Sequence, residues 1–268
     1  MASYLETAVE IAREAGALLA VQFERRLPFE TKGEYDLVTD ADRASERLIV
    51  ERLTTHFPSH AIVAEEGGGH DSSSEYRWYV DPLDGTTNFA HSFPCFNVTL
   101  ALEISGELVA GVVFDPIRGE LFTAERGSGA YLNHRRIRVS KVQKLENALV
   151  ATGFPSRKRH LNVNVHFYHQ LGMLTHGVRR CGSAAIDLAY VASGRLDAFW
   201  EFGLNPWDMA AGLLLVAEAG GRCSTMRGEP YRLRGPNIVV DNGLLHDEIL
   251  ALFAEVFSGR YRVPLPQM

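Results

Sequence analysis

The sequence predicts a mixed α/β protein in which an antiparallel α+β half is followed by an α/β half. Three observations lead to this fold class. An amphipathic helix pattern opens the chain, short strand patterns separated by turn residues fill residues 96–139, and strand and helix patterns alternate after residue 147. A polar link at 140–146 separates the two kinds of pattern. We therefore predict two halves, residues 1–143 and residues 144–268.

The first half begins with two predicted helices and continues with strands. Apolar residues at helical spacing predict the first helix: Leu5, Ala8, Val9, Ala12, Ala15 and Leu19. Thr39 and Asp42 are spaced almost as in a capping box and predict the start of the second helix. The segments AIVAEE (61–66) and YRWYVD (76–81) are interpreted as neighbouring strands. Three further segments, FNVTLALEI, LVAGVVF and GELFTAE, are separated by turn residues and predict an antiparallel meander.

The second half alternates strands and helices. The segment ALVAT (148–152) is interpreted as a strand that precedes a helix at about 161–174. Ser183 is predicted to cap a helix over GSAAIDLAYVASG, and RLDAFWEF is interpreted as the next strand. The segment NPWDMAAGLLLVAEAGG is apolar on nearly every side, so we expect this helix to be buried between layers.

Composition and charge exclude several classes of protein. The chain has 268 residues, of which 46% are hydrophobic, enough for a large core. A net charge of −6 argues against a nucleic-acid-binding surface, and no apolar run approaches the ~20 residues of a membrane span. Three widely separated cysteines offer no disulfide framework, and the N-terminal residues lack the pattern of a signal peptide. We therefore expect a cytoplasmic protein with no membrane or nucleic-acid partner.

Two aspartates lie close together in the segment YVDPLDGTTNFAH (79–91). Pro82 is predicted to end the strand at Asp81, and a turn would bring the Cα atoms of Asp81 and Asp84 within about 7 Å. Glu65, at the end of the neighbouring strand, can reach the same edge of the sheet. Such oxygen ligands favour hard cations, Mg²⁺ first and Mn²⁺ or Ca²⁺ after it. The alternative is a polar turn in which both aspartates cap backbone donors.

Five sequence blocks in a fixed order carry a resemblance to a known family. These are VDPLDGTTNF, the upstream AEE and DLVTDAD, and the downstream NPWDMAAG and EAGG. Together they closely resemble the inositol monophosphatase family, from the first helix to about Gly221, and the segment GSAAIDLAYVASGRLDAFWEFGLNPWD resembles its bacterial members. The resemblance implies a layered αβαβα sandwich and a magnesium-dependent phosphatase.

The resemblance also implies roles for individual residues. The implied metal ligands are Glu65, Asp81, the backbone carbonyl of Leu83, Asp84 and Asp208. Thr86 and Asp42 resemble the pair that orients and deprotonates the attacking water, and Glu65 is the third implied catalytic residue. The residues implied to bind the substrate are Gly85, Thr86, Arg179, Gly182, Ser183, Ala184, Glu201 and Asp208. Two or three Mg²⁺ ions per site, with Mn²⁺ as a substitute, inhibition by Li⁺ and a homodimer are implied in the same way.

Several of these residues also have a simpler structural interpretation. Asp42 could serve only as a helix cap with Thr39, and Asp208 lies near the third position of its helix, where any acid gains from the helix dipole. Glu201 could be a solvated residue at the edge of a strand. Trp207 is predicted to contribute packing rather than a substrate contact.

The predicted reaction is hydrolysis of myo-inositol 1-phosphate to inositol and phosphate by metal-activated water. Enzymes of the same fold that act on fructose 1,6-bisphosphate, histidinol phosphate or 3′-phosphoadenosine 5′-phosphate stay open as alternatives, because metal ligands contact only the phosphate. A further alternative is a regulatory binding protein that retains the fold. The presence of the four acidic ligands and Thr86 favours a working enzyme.

Overall fold

Seven α-helices and fourteen strands form in the described part of the chain, which in this computed structural model comprises residues 3–25, 29–31, 37–70, 73–154 and 162–265. The α-helices of these ranges are, in chain order, α1 (Tyr4–Glu24), α2 (Asp40–His56), α3 (Thr86–Ala90), α4 (Asn164–Leu174), α5 (Ala184–Ala192), α6 (Pro206–Ala219) and α7 (His246–Phe257). Within the described ranges, no helix combines the length and the apolarity that crossing a membrane requires.

The first half contains a seven-stranded sheet, preceded by a two-stranded ribbon. The ribbon pairs β1 (Phe29–Thr31) with β2 (Leu37–Thr39). The sheet follows chain order: β3 (Ala61–Ala64), β4 (Tyr76–Asp84), β5 (Asn97–Ile104), β6 (Glu107–Asp115), β7 (Glu120–Glu125), β8 (Gly129–Leu132) and β9 (Arg135–Arg136). β3 and β4 are parallel, and every later pair is antiparallel. The predicted meander is confirmed by the pairing of β5, β6 and β7.

The second half contains a five-stranded sheet. Its strands are β10 (Leu149–Thr152), β11 (Gly177–Arg179), β12 (Ala198–Phe202), β13 (Arg222–Ser224) and β14 (Asn237–Asp241). Their order in the sheet is β11-β10-β12-β14-β13, with the first three parallel and β14 antiparallel to both of its neighbours. The expected alternation of strand and helix is confirmed here, and β13, β14 and α7 extend it.

Five layers stack into the αβαβα sandwich that the resemblance implied. Helices α1 and α2 cover one face of the seven-stranded sheet, α5 and α6 separate the two sheets, and α4 and α7 cover the outer face of the second sheet. Because successive residues of a strand face opposite sides, Val112 packs in the core with α1 while Val113 packs in the core with α5 and α6. Both faces of the sheet are therefore buried.

The helix predicted to lie between layers does so. In α6, Met209, Ala211 and Leu215 have no exposed surface. The helix packs against strands of the seven-stranded sheet although it belongs to the second half of the chain. The predicted division after residue 143 falls in the segment between the two sheets, and the separation into two halves stays a prediction.

Local signals account for where these helices begin. The Thr39 backbone N–H donates to Asp42 Oδ2 at 2.7 Å, and the Thr39 hydroxyl accepts from the Ala41 N–H at 3.1 Å. Ser183 caps α5 by accepting from the Ile186 N–H. Both predicted caps are confirmed. Each places the first turn of a helix beside the active-site cavity that is described below.

Candidate active site

A cavity of about 610 Å³ opens where strand ends of both sheets meet the N-termini of α3, α5 and α6. It gathers eleven of the thirteen residues singled out from the sequence: Glu65, Asp81, Leu83, Asp84, Gly85, Thr86, Gly182, Ser183, Ala184, Glu201 and Asp208. Asp42 and Arg179 are not part of its lining. Residues about 140 positions apart thus meet at one place, since Glu65 and Asp208 lie in different halves of the chain.

A bulge in β4 directs both aspartates to the cavity. The prediction that Pro82 ends the strand at Asp81 is wrong, because the pairing with β5 resumes at Asp84, opposite Asn97. In a regular strand, residues three apart face opposite sides of the sheet. The irregularity between Asp81 and Asp84 removes this alternation, and the Leu83 N–H donates to Asp81 Oδ1 at 3.0 Å across it.

Of the four carboxylates that meet here, Asp81 and Asp84 are buried, Glu65 and Asp208 are half-buried, and they repel one another. Burial raises the pKa of Asp81 well above its ordinary range, and the charges of Glu65, Asp84 and Asp208 raise it further. Burial, followed by the charge of Asp84, does the same for the pKa of Asp208. The pKa of Asp84 is raised by burial, although hydrogen bonds from Ser183 and backbone N–H groups offset part of the effect. Such a cluster is stabilised by protons or by a cation.

The donors of the cavity fit a hydrated hard cation. The described lining residues include no histidine or cysteine, so the available ligands are carboxylate and carbonyl oxygens. A closed protein cage is nevertheless not formed, because nowhere in the described ranges are three acidic, histidine or cysteine side chains close enough to hold an ion as they stand. Mg²⁺ commonly uses only one or two carboxylates and keeps several waters. Its coordination therefore does not require a closed cage.

We expect the metal-free protein to lose thermal stability as the pH rises above 3.8, the unfolded pKa of Asp81 and Asp208. Protonation favours the folded state when a folded pKa is raised, so stability falls as the pH rises from the unfolded pKa of 3.8 through the raised values of Asp81 and Asp208. Each unit of raised pKa corresponds to about 1.4 kcal/mol, or roughly 2–4 °C in Tm for a chain of this size. Calorimetry in EDTA measures the slope of Tm against pH, which should be smaller in Asp81→Asn. Equal slopes in the two proteins would contradict the raised pKa of Asp81.

Thr86 and Asp42 form a hydrogen-bonded pair at the edge of the cavity. The Thr86 hydroxyl lies 2.9 Å from Asp42 Oδ1 and 3.1 Å from the Leu83 carbonyl oxygen, and it has one proton for these two acceptors. Asp42 is fully buried and uses its other oxygen for the cap with Thr39. Its structural and functional interpretations are therefore compatible, and Asp42 touches the cavity only through Thr86.

Gly85 makes the close turn between β4 and α3. Its φ of 97° lies in the left-handed region, and a Cβ atom at this position would lie 2.9 Å from the Cys95 carbonyl oxygen. The turn places the Gly85 and Thr86 backbone at the cavity, as expected from the sequence. Phosphate binding by these amides stays a prediction.

The opposite side of the cavity is formed by β12 and α5. Glu201 is only 7% exposed, and burial followed by the charges of Asp187 and Asp208 raises its pKa. The interpretation of Glu201 as a solvated edge residue is therefore wrong. Ser183 lines the cavity, but its hydroxyl donates to Asp84 Oδ2 at 2.7 Å and accepts from Asn97 at 2.8 Å. A ligand would meet the backbone of this turn rather than the Ser183 hydroxyl.

Arg179 is replaced in the cavity by its neighbour. Arg180, the first residue after β11, lines the cavity, while the Arg179 guanidinium lies against its own strand, 3.4 Å from the Val178 carbonyl oxygen. Arg180 thus lies at the cavity where Arg179 was expected, and substrate binding by Arg179 stays a prediction.

Nine further residues line the cavity that were not among those singled out from the sequence, and Asp187 and Trp207 are two of them. Asp187 lies four positions after Ser183, hence on the same face of α5, and this spacing was the available signal. Trp207 had been assigned to packing. Within the described chain, Asp187 Oδ1 and Trp207 Nε1 are buried without a hydrogen-bond partner. Both atoms offer a polar ligand an acceptor or a donor.

Comparisons with known proteins agree with this arrangement. A family model described as the inositol monophosphatase family matches residues 1–258. A Nus factor SuhB of Pseudomonas aeruginosa is 48% identical over 90% of this chain and 92% of the relative. An inositol-1-monophosphatase of Mesorhizobium japonicum is 43% identical over 96% of this chain and 98% of the relative. The crystal structure of extragenic suppressor protein suhB from Bartonella henselae superimposes with a TM-score of 0.88 at 42% identity, covering 92% of this chain and 96% of the other.

Proposed function

Because the chain belongs to the inositol monophosphatase family and is a phosphatase, we propose that it hydrolyses a phosphate monoester with Mg²⁺ as cofactor, and that myo-inositol 1-phosphate is its preferred substrate. The observation that carries the proposal is the active-site cavity, which has acidic oxygen donors on one side and the buried Glu201 on the other. The name of the Mesorhizobium japonicum relative supports the choice of substrate.

The metal would be held by oxygen donors from both halves of the chain: Glu65, Asp81, the Leu83 carbonyl, Asp84 and Asp208. When bound, Mg²⁺ supplies a lowered pKa for a coordinated water and neutralises charge on the phosphate and on the departing alkoxide. The protein side chains contribute mainly position and charge, since phosphoryl transfer requires little covalent chemistry of them.

Thr86 would orient the attacking water. With an ionised Asp42, the Thr86 proton points to Asp42 Oδ1, 2.9 Å away, which leaves the hydroxyl lone pairs to accept a hydrogen bond from water. The proton released by the water would pass to Thr86 Oγ1 as the Thr86 proton passes to Asp42 Oδ1, so that Asp42 is the final proton acceptor. Backbone N–H groups at Gly85 and Thr86, at the start of α3, are placed to bind the phosphate.

Glu201 would accept hydrogen bonds from hydroxyl groups of the alcohol. Its carboxylate fills the space beside Gly153, where a Cβ atom would lie 2.1 Å from Glu201 Oε2. The absence of a side chain at Gly153 is thus what allows Glu201 to occupy its position.

Gly153→Ala is expected to raise KM for inositol 1-phosphate about tenfold or more, because the displaced carboxylate loses charged hydrogen bonds worth about 1.5–3 kcal/mol. The affinity for Mg²⁺, measured by calorimetry, should change little. Gly172→Ala is the matched control, since its Cβ would meet only Val178, at 4.0 Å. An unchanged KM in Gly153→Ala would contradict the role of Glu201.

A panel of phosphate monoesters tests the choice of substrate. We expect kcat/KM for myo-inositol 1-phosphate to exceed that for fructose 1,6-bisphosphate, histidinol phosphate and 3′-phosphoadenosine 5′-phosphate, with activity abolished by EDTA, restored by Mg²⁺ and inhibited by Li⁺. A higher kcat/KM for another member of the panel would identify that compound as the preferred substrate. Activity that persists in EDTA would contradict the requirement for Mg²⁺.

A binding function is the second candidate, because the Pseudomonas aeruginosa relative is named a Nus factor. The hydrolytically inactive variant Asp81→Asn separates the two. If the variant fully replaces the native protein in cells, the function that the cells require is binding. If the variant is folded but does not replace the native protein, the function that the cells require is hydrolysis. We also propose a homodimer in the cytoplasm, for which sedimentation should give twice the chain mass of 29.7 kDa.

A further inference from the structure

A second cavity, of about 690 Å³, shares no lining residue with the first. We name it the arginine cavity. Its lining residues are Val63, Arg77, Tyr79, Glu103, Gly106, Leu108, Arg126, Leu213, Tyr231, Arg232, Leu233 and Arg234. They come from strands β3 to β6, the turn after β7, helix α6 and the loop before β14. Arg77, Tyr79 and Asp81 occupy every second position of β4, so their side chains lie on the same face of the sheet. This face is covered by α6, and the arginine cavity lies on it.

Positive charge is concentrated in this cavity. Four arginines line it against the carboxylate of Glu103, and a second carboxylate, that of Glu107, pairs with one of them on the rim, which leaves a net charge of +2 in a chain whose total is −6. Arg126 is paired with Glu107 at 2.6 Å on the rim. Arg232 and Arg234 are exposed, and no ion pair joins either of them to another residue of the described chain. At least two guanidinium groups are thus available to a ligand.

The loop that carries these two arginines is held in place. The Tyr231 hydroxyl contacts Met209 Sδ of α6 at 2.9 Å, and the Gly235 N–H donates to the Arg232 carbonyl oxygen at 2.9 Å. Arg234 has a φ of 77°, a left-handed conformation that costs a non-glycine residue roughly 1–2 kcal/mol. The surrounding contacts maintain this strain, which places Arg232 and Arg234 together on the rim.

We propose that the arginine cavity binds a small anion that carries two or more phosphate groups. Guanidinium groups bind phosphate through paired hydrogen bonds, which favours phosphate over other anions. Two phosphate groups provide a separate anionic group for each of the two guanidinium groups without an ion pair among the described residues, those of Arg232 and Arg234, whereas a single phosphate group would have to be shared between them. A nucleic acid is disfavoured, because it requires an extended basic surface that this acidic chain lacks.

Calorimetric titration of the metal-free protein with inorganic pyrophosphate tests the proposal. In EDTA the active-site cavity is lined by acidic side chains and repels anions, so binding there is suppressed. We expect one saturable site per chain, an affinity for pyrophosphate at least tenfold higher than for orthophosphate, and weaker binding as the salt concentration rises. Asp81→Asn, which removes one charge from the active-site cavity, should leave this affinity unchanged.

Arg232→Gln/Arg234→Gln should weaken pyrophosphate binding at least tenfold. Arg47→Gln, which removes an exposed arginine of α2, is the matched control and should bind as the unaltered protein does. Circular dichroism verifies that both variants are folded, and Arg232→Lys/Arg234→Lys separates charge from guanidinium geometry by binding with intermediate affinity. No saturable binding, equal binding in the Arg232→Gln/Arg234→Gln protein, or an equal loss in Arg47→Gln would overturn the proposal.

Discussion

Replacing Asp81 with asparagine is expected to lower kcat/KM by about a thousandfold and to raise the Tm of the metal-free protein at neutral pH. A metal site contributes several kcal/mol of charge stabilisation, and each 1.36 kcal/mol is a factor of ten in rate. The same change removes a buried charge that Glu65, Asp84 and Asp208 repel, and the loss of this repulsion stabilises the folded state of the metal-free protein. Asparagine retains Oδ1, so the hydrogen bond from the Leu83 N–H at 3.0 Å survives.

Steady-state kinetics and calorimetry, each with and without Mg²⁺, measure both effects. Asp247→Asn is the control, because this aspartate lies exposed in the first turn of α7. A metal-free Asp81→Asn protein that melts below the unaltered one would show that the carboxylate is not repelled by its neighbours. Loss of activity with unchanged Mg²⁺ affinity would show that Asp81 is not a ligand.

Replacing Thr86 with valine is expected to lower kcat at least about a hundredfold, the lower end of what a positioned proton-transfer group contributes. Valine has nearly the shape of threonine but lacks the hydroxyl that lies 2.9 Å from Asp42 Oδ1. The change also leaves a buried carboxylate oxygen without this donor, which costs about 1–3 kcal/mol of stability. Thr86→Ser keeps the hydroxyl and should retain most of the activity.

The separation of kcat from binding makes this prediction specific. Mg²⁺ affinity, measured by calorimetry, should be similar in the Thr86→Val and Thr86→Ser proteins, since the hydroxyl is not among the proposed ligands. If Thr86→Ser, which keeps the hydroxyl, loses as much activity as Thr86→Val, the loss of the hydroxyl would not account for the effect. If Thr86→Val loses Mg²⁺ binding as well, Thr86 would have to be placed among the ligands.

The sequence by itself determined the parts of this protein that depend on chain neighbours. The Thr39–Asp42 capping box, the cap at Ser183 and the buried character of α6 follow from groups within one or two helical turns. Most residues that line the active-site cavity were identified because they stand in family motifs, and their roles stay predictions. Beyond Gly221 no motif was available, so β13, β14 and α7 were not foreseen.

The tertiary structure decided what depends on distances through space. The bulge that turns Asp81 and Asp84 to one cavity, the position of Arg180 rather than Arg179 in its lining, and the burial of Asp187 Oδ1 without a hydrogen-bond partner in the described ranges all depend on how distant segments pack together. The arginine cavity joins positions from 63 to 234 with no shared motif. Local hydrogen bonds act over a few residues and leave a readable pattern, whereas burial and charge repulsion arise only once distant segments are packed together.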